Sequence, residues 1–302
     1  MTNSQWLWLV LLSVLWGGSF FFVGVAVDEV PPLTLVAARV AIAALAILPV
    51  VFALGHRLPL TVAAWLPFAG MALFNNIIPF TSITLAQAHI TSGLAAVLNA
   101  TTPLMSVLML RLFVADEPLT AAKLGGILLG IAGVAILMGP DALQGLDAQL
   151  AGMALMLVAT GSYGLSAVWG RRLRGTPPVV SAAGQLICSS AALIPLALLI
   201  ETPLSLGLPS EASIAAIVGL GVLSTAIAYL IFFHILSVSG PANVMLVTLL
   251  VPVSAIALGT LFLDEALLTR HIVGALVIGS GLLVIDGRLP AYLLGRGSRP
   301  TM

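Results

Sequence analysis

Apolar runs of about twenty residues follow one another along almost the whole chain, and this pattern constrains the fold more than any other feature. A helix needs about 20 such residues to cross the roughly 30 Å hydrocarbon core of a bilayer. Reading the runs between charges and Pro/Gly punctuation gives ten spans, near residues 6–27, 33–54, 62–86, 91–113, 120–138, 150–170, 178–200, 213–235, 241–262 and 271–286. Barrel strands alternate over about ten residues, whereas these runs are apolar on every face. The expected fold class is therefore an all-α membrane protein of ten transmembrane helices. With 60% hydrophobic and only 7% charged residues in a chain of 302, a sizeable soluble domain does not fit beside ten spans. Eleven basic residues balance eleven acidic ones, so the basic stripe a nucleic-acid partner requires is missing. The first run is too long for a signal-peptide core and reads as a retained helix. The single Cys188 has no internal disulfide partner.

Charge sorts the loops. With the amino terminus in the cytoplasm, nine basic residues lie inside: Arg57, Arg111, Lys123, Arg171, Arg172, Arg174, Arg288, Arg296 and Arg299. Only Arg270 then lies outside, where Asp28, Glu29, Asp141, Asp147, Glu201, Glu211, Asp264 and Glu265 collect. The positive-inside rule selects this orientation. It predicts a multi-pass protein of the cell (inner) membrane with both termini cytoplasmic, residues 288–302 forming a cytoplasmic tail.

The chain also repeats itself. Pro31-Pro32 recurs as Pro177-Pro178, Pro49 as Pro195, Gly70 as Gly219, Pro103 as Pro252, and Asp116-Glu117 as Asp264-Glu265, at offsets of 146 to 149. Gly126, Gly133 and Gly139 likewise fall on Gly274, Gly281 and Gly287 at 148. Residues 1–139 and 150–287 therefore read as two five-helix repeats, and an odd number of spans per repeat inverts one against the other. Inverted repeats are the architecture of secondary transporters, which bind solute near the midplane where the repeats meet.

These residues resemble a family. Trp16-Gly17-Gly18-Ser19-Phe20, Ala38-Arg39-Val40, Pro103 followed by Asp116-Glu117-Pro118-Leu119-Thr120, and the second-half counterparts Pro252, Asp264-Glu265 and Gly274 through Gly281 look like the EamA branch of the drug/metabolite transporter superfamily. Within it the chain is most similar to bacterial exporters of (aromatic) amino acids of the YddG type. The resemblance implies a ten-helix export protein; its quoted motifs are shared with relatives that move other metabolites.

Polar and helix-breaking residues within a span belong against protein or a water-filled cavity. Trp16, Gly17, Gly18 and Ser19 in the first span, and Gly161, Ser162, Tyr163 and Gly164 in the sixth, are paired interruptions of the kind that mark a transporter's binding site. Asn75, Asn76 and Pro79 in the third span match Ser224, Thr225 and Tyr229 in the eighth. Asn99, Thr101, Thr102 and Pro103 in the fourth match Asn243, Thr248 and Pro252 in the ninth. Helices one, three, four, six, eight and nine are thus expected around a central cavity. Its walls are expected to carry Trp16, Phe20, Phe80, Tyr163, Trp169 and Tyr229, with Ser19, Asn75, Asn76, Asn99, Thr101 and Asn243 supplying polar contacts. Gly17, Gly18, Gly161, Gly164, Pro79, Pro103 and Pro252 are the expected hinges. Aromatic walls suit apolar or aromatic side chains and lipophilic cations. The fifth and tenth spans carry small residues that allow close helix approach, either in peripheral packing or in a homodimer.

Arg39 stands alone among the charges, about six residues or roughly 9 Å from the outer end of its helix. It reads equally as an anchor to outer carboxylates or backbone carbonyls and as a substrate contact. His56, His89, His234 and His271 are dispersed, so neither a metal nor any other cofactor is expected. Ser162 with a distant histidine leaves an intramembrane serine hydrolase as a remote enzymatic alternative, since reach between nucleophile and base is required. No carboxylate occupies mid-depth, as a proton relay would need. The sequence therefore predicts gradient-driven alternating-access export of a small neutral or zwitterionic solute, an amino acid ahead of a nucleoside or lipophilic cation. Its carboxylate or amine is expected on helix-end dipoles at the glycine interruptions.

Overall fold

The computed structural model describes residues 2–114, 120–138, 147–205, 207–240, 244 and 246–286. Asn243, the Asp116-Glu117 pair and the tail 288–302 lie outside the described residues. Ten apolar helices follow in order: α1 Asn3–Ala26, α2 Pro32–Ala53, α3 Val62–Gln87, α4 Ser92–Phe113, α5 Ala121–Met138, α6 Ala148–Leu173, α7 Pro178–Ile200, α8 Glu211–Ser239, α9 Val247–Phe262 and α10 Thr269–Asp286. The first eight are long and apolar enough to cross a bilayer, and α9 and α10 are shorter apolar helices. Leu45, Leu66, Leu199 and Leu276 remain largely exposed on the outer faces, as expected where lipid replaces water as solvent.

Helix pairs meet in a pattern that recurs when the two halves are exchanged. α1 packs on α9 and α6 on α4; α1 lies against α8 and α6 against α3; α2 pairs with α7 and α5 with α10. Local contacts recur in the same way. A Cβ on Gly17 would meet the backbone nitrogen of Ala255 in α9 at 2.8 Å, and one on Gly164 the Met105 carbonyl oxygen in α4 at 2.8 Å. Gly70 receives the Trp169 indole and Gly219 the Phe22 ring. Small residues here allow close helix approach, which in lipid must supply much of the association energy through van der Waals contact.

Glycine therefore does not interrupt α1 or α6, contrary to expectation. Both helices run continuously through Gly17-Gly18 and Gly161-Gly164, because hydrocarbon offers no alternative partner for a freed backbone amide. The interruptions lie elsewhere. A π-helical turn spans Ala72–Ile77 in α3 and another Val222–Ile227 in α8. In α3 the cause is Pro79, which has no N–H and crowds the carbonyl of Asn75 four residues back. In α8 the Thr225 hydroxyl donates to the Leu220 carbonyl oxygen at 2.8 Å, taking an acceptor the helix ladder would use. α4 breaks at Ala100-Thr101 ahead of Pro103. The hydroxyls of Thr101 and Thr102 donate to the Leu98 and Asn99 carbonyls, each at 2.7 Å.

Four of the acidic residues expected outside act as helix caps. Glu201 accepts from the backbone of Leu33 and Thr34 at the start of α2. Glu265 accepts from Ser92 and Gly93 at the start of α4, and Glu29 from Ser210 at the start of α8. Asp147 caps its own helix through Leu150. Each carboxylate satisfies amides that have no intrahelical partner and meets the positive end of a helix dipole.

The small-residue faces of α5 and α10 face each other. A Cβ on Gly126 would lie 2.6 Å from the Gly281 carbonyl oxygen, and one on Gly133 2.9 Å from that of Gly274. Of the two uses the sequence left open for these faces, packing within one chain is the one observed. Gly126→Ala should lower the unfolding midpoint, at an overpacking cost of about 1–3 kcal/mol. Gly125→Ala, whose Cβ would meet nothing within 4 Å, should leave it unchanged.

Hydrogen bonds from the backbone and side chain of Ser210 hold the Glu29 carboxyl below its usual 4.5. A depressed carboxylate contributes stability above its unfolded pKa and loses it as pH falls through the folded value. Thermal melts of wild type and Glu29→Gln should therefore differ at neutral pH. The gap should start to close as pH falls past about 4.5 and vanish below Glu29's own lowered value; a gap independent of pH would refute the cap.

Candidate functional site

The π turn of α3 carries Asn75 and Asn76, and with α6, α7 and Tyr229, which follows the π turn of α8, it builds a polar cluster between the halves. From α3, Asn75 Nδ2 donates to Gln185 Oε1 of α7 at 2.9 Å and to the Tyr229 hydroxyl of α8 at 3.3 Å. The Tyr229 hydroxyl donates to Asn76 Oδ1 at 3.2 Å, and Asn76 Nδ2 donates to Ser189 Oγ at 3.0 Å. Ser166 Oγ of α6 donates to Asn75 Oδ1 at 3.3 Å. Asn76, Gln185 and Ser189 are buried, and the mutual satisfaction of amides and hydroxyls is what makes such burial tolerable.

Arg39 of α2 enters the same region from the side of the outer end. Its Nε donates to Thr225 Oγ1 in the α8 π turn at 3.0 Å, and its guanidinium lies over the Phe80 ring, 3.6 Å from the centroid. Both Tyr163 of α6 and Tyr229 lie within electrostatic reach of it. The Arg39–Thr225 and Gln185–Asn75 contacts correspond: each ties a second helix of one half to the π turn of the other.

Of the nominated residues, Asn75, Asn76, Phe80, Tyr163 and Tyr229 are brought together in the structure. Several other nominated residues are not. Trp16 packs on Phe232, 5.5 Å between ring centroids, and Phe20 is buried in the apolar core. Ser19 is buried in the continuous α1. Trp169 lies toward the end expected to be cytoplasmic, donating to the Pro67 carbonyl at 3.0 Å, with Arg172 over its ring. Asn99 and Thr101 sit at the α4 break, where Asn99 Oδ1 is buried without a hydrogen-bond partner. Pro252 lies inside α9 without ending it. Ser162, the nominated nucleophile of the hydrolase alternative, donates to the Phe74 carbonyl at 2.8 Å.

The sequence left α2 and α7 out of the helices expected around the cavity, with Arg39 open as a substrate contact, yet Arg39, Gln185 and Ser189 all take part in this cluster. Gln185 and Ser189 are spaced i, i+4 and so share one helix face, a polar stripe that was available to be read. A cleft of about 420 Å³ opens at the end expected to be cytoplasmic, between Arg57, Pro59 and Phe68 on one side and Arg172, Pro177 and Val180 on the other. Among the described residues, no group of three or more His, Cys, Asp or Glu residues is placed to hold a metal ion.

Known proteins share this architecture. The family described as EamA-like transporter matches twice, over residues 4–139 and 150–286. An "Uncharacterized transporter" of Archaeoglobus fulgidus is 26% identical over 287 residues, 93% of this chain and 98% of that one. The "Uncharacterized inner membrane transporter YedA" of Escherichia coli K12 is 28% identical, over 83% of this chain and 80% of its own length. A "Probable amino-acid metabolite efflux pump" of the same organism is 26% identical, over 94% and 95%. A solved crystal structure aligns with a TM-score of 0.67 at 21% identity, covering 97% of this chain and all of the other, a likeness of fold alone. The chain belongs to the EamA-like transporter family.

Proposed function

We propose that the protein is a secondary transporter that exports small neutral or zwitterionic metabolites, amino acids including aromatic ones first among them, across the cell inner membrane. The observation that carries this reading is the polar cluster around the α3 π turn: amides, hydroxyls and aromatic rings, with one guanidinium and, among the described residues, no carboxylate. Amide and hydroxyl groups suit a polar head group, and Phe80, Tyr163 and Tyr229 suit an apolar or aromatic side chain. Without a carboxylate at mid-depth there is no proton relay of the usual kind, so transport follows the solute's own gradient. The name of the E. coli efflux relative points the same way, as does the resemblance to YddG-type exporters.

In this reading residues 1–139 and 150–287 are inverted repeats that rock about the cluster, supported by the contacts that recur when the halves are exchanged. Both termini lie in the cytoplasm, supported by the distribution of Lys and Arg. A second reading, export of lipophilic cations or nucleosides, draws on the same aromatic rings through their cation-attracting faces.

Counterflow in proteoliposomes with amino acids, nucleosides and lipophilic cations decides between them. Amino acids should exchange, and an imposed pH gradient should not drive their accumulation. A signal from lipophilic cations alone would select the second reading, and labelling of Ser162 by a serine-reactive probe would revive a hydrolase. Tyr229→Phe should lower counterflow at least severalfold while destabilising the protein by only about 1 kcal/mol, the scale of a single interhelical hydrogen bond in a membrane.

A further inference from the structure

Arg39 presents an unbalanced charge. It is 95% buried, with a relative exposure of 5%, and it starts seven residues into α2, roughly 10 Å below the helix end at 1.5 Å per residue. A guanidinium carries five N–H donors in a planar fork. Only Nε is engaged, by Thr225 Oγ1; Nη1 and Nη2 donate to no described residue. No carboxylate pairs with it among the described residues, and the outer acids Glu29, Glu201 and Glu265 are occupied as caps at the starts of α8, α2 and α4. The structure thus departs from the anchoring role the sequence left open for Arg39, since neither an outer carboxylate nor a backbone carbonyl holds it.

A buried cation with its fork unfilled is costly unless a partner arrives. The Phe80 ring beneath it offsets part of that cost, but a ring face supplies no hydrogen-bond acceptor in the guanidinium plane. What the two free nitrogens accept best is a pair of oxygens on one centre, bound side by side. The Tyr163 hydroxyl also donates to no described residue, and it lies within electrostatic reach of Arg39.

We propose that Arg39 is the cargo's carboxylate site: Nη1 and Nη2 bind the two oxygens of a carboxylate solute in a fork, Thr225 fixes the guanidinium through Nε, and Phe80 supports its face. This rests on the transporter reading above and deepens it. The cargo class becomes solutes with a free carboxylate, amino acids among them, and the carboxylate is held by a side chain rather than by helix-end dipoles at Gly17-Gly18 and Gly161-Gly164, where no helix ends. A zwitterion remains neutral overall while neutralising the guanidinium locally.

The test compares acids with their amides on the purified protein. Binding of phenylalanine against phenylalaninamide, leucine against leucinamide and benzoate against benzamide is followed by the shift in thermal unfolding, with counterflow run in parallel. Wild type should bind the acid of at least one pair about tenfold or more tightly than its amide, the scale of a charge-assisted hydrogen bond. Arg39→Gln should bind both members of that pair alike, and Arg39→Lys, which keeps the charge but loses the fork, should retain part of the preference. Wild type that treats every acid and amide alike overturns the proposal even if no variant folds, as does a preference that survives in Arg39→Gln. Acid preference without counterflow of any solute keeps the site and sinks the transporter reading. Equal counterflow of acids and amides keeps the transporter and sinks the site.

Discussion

The constraint on which the rest depends is that a backbone amide in hydrocarbon must find its partner inside the protein. It explains why α1 and α6 pass through their glycines unbroken and why each real irregularity comes with a local remedy. Pro79 removes a donor and α3 widens into a π turn. The Thr225 hydroxyl takes a carbonyl and α8 does the same. At the α4 break, two threonine hydroxyls satisfy the carbonyls next to Pro103. Single-turn π segments frequently mark functional positions. In this protein one of them carries Asn75 and Asn76, which bond to α7 and α8, and the other carries Thr225, which bonds to Arg39 of α2, so the polar contacts between the halves follow from how the backbone is kept satisfied.

Much of the fold was legible because run length, loop charge and offset are properties of the chain taken in order. The ten spans follow from apolar runs, and α5 with α10 were readable as closely packed from their glycines, though not that they pack on each other. The candidate site was legible only in part. Asn75, Asn76 and Tyr229, which the polar cluster joins, are conspicuous as polar residues within apolar runs, but the glycine-rich segments of α1 and α6 were misread as interruptions. A glycine that lowers helix propensity and a glycine that admits a neighbouring helix look alike in sequence; only the 2.8 Å approaches at Gly17 and Gly164 separate the two. Arg39 was ambiguous for a related reason. Its depth could be counted, but the direction of its side chain depends on α8 and on Phe80, which are remote in sequence.

The outer acids show one sequence signal with two physical sources. As loop charges they marked orientation; as side chains they cap helices, and Glu29, Glu201 and Glu265 each reach a helix of the other half. Capping with a charged oxygen satisfies orphan amides and meets the helix dipole at once. The end of the bundle that carries these acids is thereby tied across the halves by bonds to backbone, which need no matching basic residue.

If the halves are inverted repeats, the Arg39–Thr225 and Gln185–Asn75 contacts are counterparts, and rocking would exchange their environments. The same residue on both second helices would contribute alike to the inward and outward states. A guanidinium in one half and a neutral amide in the other contribute unequally, because burying a charge and burying an amide differ in cost. The empty carrier then has a preferred state. A carboxylate shifts that preference only so far as it compensates Arg39 better in one state than in the other, since a ligand with equal affinity for both states shifts neither. In the proposed carrier the charge would thus bias where the empty protein rests and what it selects, while the solute gradient would set the direction of net movement.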